Sequence, residues 1–252
     1  MPFTGSHPAA VLPFLRTALP TSALVAGSMA PDVPVFLHGG PHYVQTHTLT
    51  GVLTVDALLG GLMLLVWHLL LAAPFRAVAP AALRARLPQR KRGVPAFALG
   101  YVALVVGGLT HIGWDEFTHR DRAAVRHIGW LHQQHAFGGF TLPGYSWAQY
   151  GSTMAGLLIL GIWAARWYRR TRPSGGPAPG LSLPVRVAAT GLAATAGLVG
   201  AFVGGREVWA GGSLSQIAVS TITRGGDALV LMVVVLAVSW HLRPRQLRRP
   251  PA

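Results

Sequence analysis

Residues 110–119 read Thr-His-Ile-Gly-Trp-Asp-Glu-Phe-Thr-His and follow directly on the apolar run Val94–Leu109. His111, Asp115 and His119 recur every four residues. On a helix each such step turns the side chain by about 40° and climbs about 6 Å, so the three groups form a stripe along one face. Imidazole and carboxylate at i and i+4 are the ligands a divalent metal takes from a helix. The chain has only seven acidic residues and this decapeptide holds two of them. Surface solubility alone does not account for that placement.

The rise of the helix limits what the stripe can do. His111 and His119 stand about 12 Å apart along the axis, so both cannot bind one ion. Asp115 can share an ion with one of them. The other is then an outer partner, a proton shuttle or a ligand to a second ion. A pair of ions about 3.5–4 Å apart needs a bridging carboxylate, and Asp115 or Asp32 would serve. Glu116, turned about 100° away, is expected to be solvated or to cap a helix.

The elements that position these groups are membrane helices. The 252-residue chain is 51% hydrophobic and 11% charged, with a mean hydropathy of +0.44. A soluble domain carries about 25% charged residues. The pattern predicts an all-α polytopic membrane bundle in one integral membrane domain, with about five spans near 49–73, 94–110, 150–168, 185–204 and 217–240. Residues 1–48 are expected to lie outside or in the interface as short helices, followed by a turn-rich loop at Pro31–Pro41. The segment 241–252 is read as a basic tail.

The net charge of +14 is distributed by topology. Fifteen of the twenty-one basic residues fall after the first span (Arg76, Arg84, Arg86, Arg90, Lys91, Arg92), around the end of the third (Arg166, Arg169, Arg170, Arg172, Arg186) or in the tail (Arg243, Arg245, Arg248, Arg249). With five spans all three clusters lie on one side, which predicts a cytoplasmic C-terminus and an extracytoplasmic N-terminal region in a plasma membrane. The clusters lack interleaved aromatics or a known binding motif, so nucleic acid is not an expected partner, whereas membrane lipids are. Met1–Leu15 has no basic n-region and is interrupted by Pro8 and Pro13, so no cleavable signal peptide is read there. The absence of cysteine excludes disulfides, thiolate metal sites and cysteine nucleophiles.

On this topology nine of eleven histidines are external: His7, His38, His42, His47, His111, His119, His127, His132 and His135. Three further places join the helical stripe at that membrane depth. Ser6-His7-Pro8 puts an imidazole at a helix start, Met29-Ala30-Pro31-Asp32 leaves a carboxylate in a proline-bounded turn, and Thr46-His47-Thr48 stands at the mouth of the first span. Two or three imidazoles converging with two carboxylates describe an N/O metal site. Zinc is the simplest occupant, and carboxylate-rich variants admit manganese or iron. Asp56 lies about 13 Å deeper than His47, where a carboxylate is costly and is expected to have a partner or a pathway role.

The opening Met-Pro-Phe-Thr-Gly-Ser-His-Pro, then Gly27-Ser28-Met29-Ala30-Pro31-Asp32, His47-Thr48-Leu49, Thr110-His111-x-x-Trp114-Asp115-x-Phe117-Thr118-His119 and Gln149-x-x-Ser152-x-x-x-Gly156 resemble a bacterial membrane-protein family of unknown function. More distantly, the order His-Pro, Pro-Asp, His-Ser/Thr and helical His-x-x-x-Asp is similar to predicted membrane-bound metal-dependent hydrolases. That likeness implies His7, Asp32, His47, His111 and Asp115 as metal ligands, with Thr48 standing where Ser is expected. The expectation is therefore a metal-dependent hydrolase at the extracytoplasmic interface, acting on a phosphoester of a lipid or envelope intermediate. Asp115, Asp32 or His119 would accept the proton, and Arg120, Arg122 and Arg126 would hold an anionic head group. The alternatives are a non-enzymatic envelope or assembly protein, whose polar stripe pins helices, and an ion or small-solute transporter drawing on Asp56 and Asp227.

Overall fold

A computed structural model describes residues 4–37, 40–87, 97–173, 180–209, 211–212 and 214–243, with the backbone alone at 40–42 and 214–215. His38, the side chain of His42, and Arg90, Lys91, Arg92, Arg245, Arg248 and Arg249 fall outside that description. The protein is an all-α membrane bundle. Its long helices are α1 (Thr21–Met29), α2 (Leu49–Val78), α3 (Phe97–Asp115), α4 (Gly144–Arg170), α5 (Leu183–Trp209) and α6 (Leu214–Leu242). Four of them, α2, α3, α5 and α6, are long and apolar enough to cross a membrane. The fifth expected span lies within α4, whose 27 residues suffice in length. Its Tyr, Trp, Ser, Gln and Gly content leaves it less apolar than the other four.

The described residues divide into two compact units, Met1–Leu64 with Arg90–Arg170, and Leu65–Gln89 with Thr171–Ala252. In the first, a 3₁₀ segment at Thr4–Arg16 precedes α1. Pro8 and Pro13 lie inside that segment and deny the backbone two hydrogen-bond donors. The stretch expected as a turn-rich loop is instead a series of short helical turns, at Ala30–Asp32, Val33–Phe36 and Gly40–Thr46. Prolines at the starts of such turns need no amide partner. Thr48 then caps α2, its hydroxyl accepting from the Gly51 amide at 3.0 Å; this is the standard answer to orphan donors at a helix start.

The apolar centre of this unit is Val11, Ala23, Leu24, Ala26, Ala103 and Leu104, with Phe14, Met63 and Val106 against it. Small residues let the backbones touch. A Cβ added to Gly27 would stand 2.1 Å from the Leu104 carbonyl oxygen, and one added to Gly107 would stand 2.3 Å from that of Leu24. In lipid, where apolar burial contributes little, such close packing is a main source of helix association. It also brings the C-terminal end of α1 beside the segment of α3 that carries His111.

In the second unit α5 and α6 pack through Gly200 and Gly204, whose added Cβ atoms would meet the backbone of Arg224 and Ser220. Arg224 lies 3.2 Å from Glu207. Pro74 cannot donate to the Leu70 carbonyl four residues earlier, and a π-helical turn at Trp67–Leu71 relieves the clash. The His241 imidazole takes that carbonyl at 3.0 Å.

Replacing Gly107 by Ala forces α1 and α3 apart and is expected to destabilise the fold by about 1–3 kcal/mol. Gly100→Ala, whose added Cβ meets nothing within 4 Å, should be neutral or stabilising. Thermal unfolding of the detergent-solubilised variants checks the difference, and equal midpoints would contradict it.

Candidate metal centre

Four separate pieces of chain bring five ligand-type side chains together. His7 comes from the 3₁₀ segment, Asp32 from the proline-bounded turn after α1, His47 from the residue before the cap of α2, and His111 and Asp115 from successive turns at the end of α3. All five are buried, none more than 4% exposed. His47 Nε2 lies 3.3 Å from Asp115 Oδ2 and 3.7 Å from Asp32 Oδ1. His111 Nε2 lies 3.4 Å and 3.6 Å from the same two oxygens. His7 stacks on the His111 ring, centroids 3.8 Å apart, with its Nε2 3.9 Å from Asp115 Oδ1.

Backbone carbonyls set the orientation of two rings. His111 Nδ1 is 2.8 Å from the Ser28 carbonyl and His47 Nδ1 is 2.9 Å from that of Tyr43. A carbonyl only accepts, so each Nδ1 carries the proton. In the neutral ring Nε2 then offers its lone pair to the centre of the cluster; metal-binding histidines are typically held in this way, the other nitrogen donating to a carbonyl. The Thr4 hydroxyl donates to Asp32 Oδ2 at 2.6 Å, and the Thr46 hydroxyl donates to the Pro31 carbonyl at 2.8 Å. These bonds tie the segments carrying His7 and His47 to the turn carrying Asp32.

Six atoms of the cluster are buried with no hydrogen-bond partner among the described residues: both nitrogens of His7, Nε2 of His47 and His111, and both oxygens of Asp115. Each such group costs about 1–3 kcal/mol when left unsatisfied. Two overlapping ligand sets result, His7 with His111 and Asp115, and Asp32 with His47 and His111. Both use His111, whose single free nitrogen can bind only one ion, so the sets describe one centre. The four nitrogen–oxygen separations of 3.3–3.7 Å match the ligand–ligand edges of a tetrahedral ion with bonds of about 2.0–2.2 Å. The residues therefore fit a divalent metal, and His7, grouped with His111 and Asp115, adds a further donor beside it.

Electrostatics follow from burial and proximity. Burial, reinforced by the neighbouring His111, lowers the His7 imidazole to about 4 despite Asp115 and Asp32, so it is neutral at pH 7. Burial alone would raise Asp32, but the imidazoles of His111 and His47 and the Thr4 hydroxyl hold it well below the usual carboxylate range. For His47 the same contest runs the other way. Burial lowers it, and Asp115 and Asp32 outweigh that and raise it.

His119 lies at the rim, its Nδ1 3.4 Å from Asp115 Oδ1 and its side chain 18% exposed. Its Nε2 is 3.4 Å from the Tyr43 hydroxyl. Burial lowers the His119 imidazole, while burial together with Asp115 and Asp32 raises the Tyr43 phenol, which stays protonated. Asp115 thus sits between His111 and His119, as the four-residue spacing requires. Arg122 donates to the His47 carbonyl at 3.1 Å. Glu116 caps the short helix Ala123–His127, accepting from the Ala123 and Ala124 amides at 3.0 and 3.4 Å.

His127, His132 and His135 take no part in the cluster. His127 Nδ1 faces the Ala123 carbonyl and His135 Nε2 that of Trp130. Asp56 is buried one helical turn beyond Val52, at the end of a π-helical turn, and neither of its oxygens has a hydrogen-bond partner among the described residues. The hydrogen-bonding partner that its depth suggested is not found among the described residues. Thr4, Tyr43, Thr46 and the Ser28 carbonyl escape sequence reasoning, because hydroxyls and backbone carbonyls carry no metal-ligand signature. The only trace was position, since Thr46 adjoins His47 and Ser28 precedes the Met-Ala-Pro-Asp turn.

These features define a class: an all-α membrane bundle with a buried cluster of three histidines and two aspartates. The chain belongs to the family described as Domain of unknown function (DUF4184), whose model matches residues 1–242. The comparisons with curated proteins and with solved structures found no match.

The 3₁₀ segment that delivers His7 rests on α4, where a Cβ added to Gly156 would lie 3.1 Å from Ser6. Gly156→Val is expected to displace the segment and speed tryptic cleavage after Arg16 several-fold in the solubilised protein. An unchanged cleavage rate would contradict this packing.

Proposed function

We propose that the protein is a membrane-bound metal-dependent hydrolase, with His7, Asp32, His47, His111 and Asp115 holding a single divalent ion. The observation that carries this reading is the convergence of five buried imidazole and carboxylate side chains, six of whose atoms have no hydrogen-bond partner among the described residues. A cluster that merely pins helices would pair its polar atoms, as buried polar groups overwhelmingly do. Three imidazoles and two carboxylates favour zinc, and the carboxylates keep manganese and iron as alternatives for metal analysis.

Bound there, the metal supplies Lewis acidity and a water acidified to near neutral pH. The chain's own residues do the rest. His119 is the member of the cluster region that reaches both Asp115 and solvent, so it carries the proton between the centre and the outside. The Tyr43 hydroxyl holds the other ring nitrogen. Arg122, held by the His47 carbonyl at 3.1 Å and facing Glu116 at 3.9 Å, places a guanidinium for an anionic ester. The planar fork of a guanidinium can pair with two oxygens of a phosphate at once.

The substrate class that follows is a phosphoester of a lipid or envelope intermediate. The membrane is read as the bacterial plasma membrane, with the cluster extracytoplasmic, on the basic-residue bias of the sequence. A second reading, passage of a cation or solute, is favoured by Asp56 alone. It requires that Asp56→Asn abolish flux in proteoliposomes while metal content is unchanged.

Asp115→Ala and His47→Ala are expected to lose the metal and all hydrolysis of phosphoester substrates. His119→Ala should keep the metal and lower kcat by about 10²–10⁴-fold, the range of a lost proton carrier. Wild-type protein without stoichiometric metal after gentle purification would sink the proposal. The acidic neighbours raise His47, so binding must displace its proton. Zinc affinity should therefore fall as the pH is lowered, and a pH-independent affinity would exclude His47 as a ligand.

A further inference from the structure

Between α3 and α4 lies a two-stranded antiparallel hairpin, β1 (Gln134–Phe137) and β2 (Phe140–Pro143). Its turn is Gly138-Gly139, with φ of +58° and +83°. A two-residue type I′ turn needs positive φ at both positions, which glycine adopts without strain. Phe137 and Phe140 face each other across the last rung, so both rings project from one face of the ribbon. They are 75% and 61% exposed.

The base of the hairpin is firmly held. The Gly144 amide donates to the Gln133 carbonyl at 2.9 Å, and the Trp147 indole donates to that of His135 at 3.1 Å. The His135 ring stacks on Trp130, centroids 4.8 Å apart, and the Phe137 ring meets Trp147 edge-on at 5.8 Å. A rigid ribbon therefore presents two phenyl rings outward, an arrangement that costs free energy in water.

We propose that the Phe137–Phe140 tip is an interfacial anchor, inserted among the lipid head groups of the bilayer that α2 and α3 cross. Covalent continuity identifies the lipid as its partner. β2 runs into α4 without a linker, and its four residues place the tip about 13 Å from the start of that helix. α4 opens with Tyr145 and Trp147, then exposes Met154, Leu158, Ile159 and Ile162. Aromatic residues followed by aliphatic ones trace the passage from interface to hydrocarbon. The anchor is independent of whether the His/Asp cluster holds metal.

The chain has no cysteine, so single labelling sites can be introduced without other changes. Phe137→Cys and Phe140→Cys, each carrying a nitroxide, would be examined in the full chain reconstituted in phosphatidylcholine–phosphatidylglycerol vesicles. The exposed Asp121→Cys serves as the aqueous reference. Relative to that reference, collision with oxygen over collision with a water-soluble nickel chelate should be several-fold higher at both tip positions, as for a site about 5–10 Å into the interface. A ratio equal to the reference would place the tip in water and overturn the proposal. Exclusion of both reagents, with spin–spin broadening that grows with protein density, would overturn it in favour of a second copy of the chain.

Discussion

The contact on which the site depends is the meeting of two backbones at Gly27 and Gly107. No side chain separates α1 from α3 there, and this brings the Ser28 carbonyl within 2.8 Å of His111 Nδ1. That hydrogen bond decides which nitrogen of His111 faces the cluster. The turn after α1 is carried to the same place, and with it Asp32. A modest packing feature, one glycine on each of two helices, thus fixes both the tautomer of one candidate ligand and the position of another.

The polar cluster has a cost that the rest of the fold must bear. Five ionisable side chains are sealed from water, and several of their atoms have no partner. Burial works against every charge among them. Mutual proximity works the other way, holding Asp32 ionised and raising His47. His7 falls on the neutral side of this contest. Neutral imidazoles beside ionised carboxylates are the donor set a divalent cation prefers. Replacing protons by one ion would remove the penalty of the orphaned lone pairs, which gives the arrangement a physical rationale that helix pinning lacks.

Much of this was legible in the sequence, for identifiable reasons. The membrane helices announce themselves by length and hydropathy. The spacing of His111, Asp115 and His119 is a helical period, and the structure keeps Asp115 between the two rings. That His7, Asp32 and His47 join them could be suggested by topology and by resemblance, since all flank proline turns or helix starts at one membrane depth. The sequence was less informative where structure depends on local backbone competition. The prolines between 31 and 41 read as a loop but start short helical turns. The hairpin at 134–143 was missed, although paired phenylalanines around Gly-Gly are a two-residue turn signal. Asp56 is expected to have a partner or a pathway role, and that its oxygens have no hydrogen-bond partner among the described residues is visible only once neighbouring spans are in place.

X-ray absorption spectroscopy on the purified protein tests the central claim most directly. The account predicts one bound divalent ion per chain. Its nitrogen/oxygen shell should lie at about 2.0–2.2 Å, with outer-shell scattering from at least two imidazoles. Absence of a stoichiometric absorption edge, or a shell of oxygen alone without imidazole scattering, would contradict it.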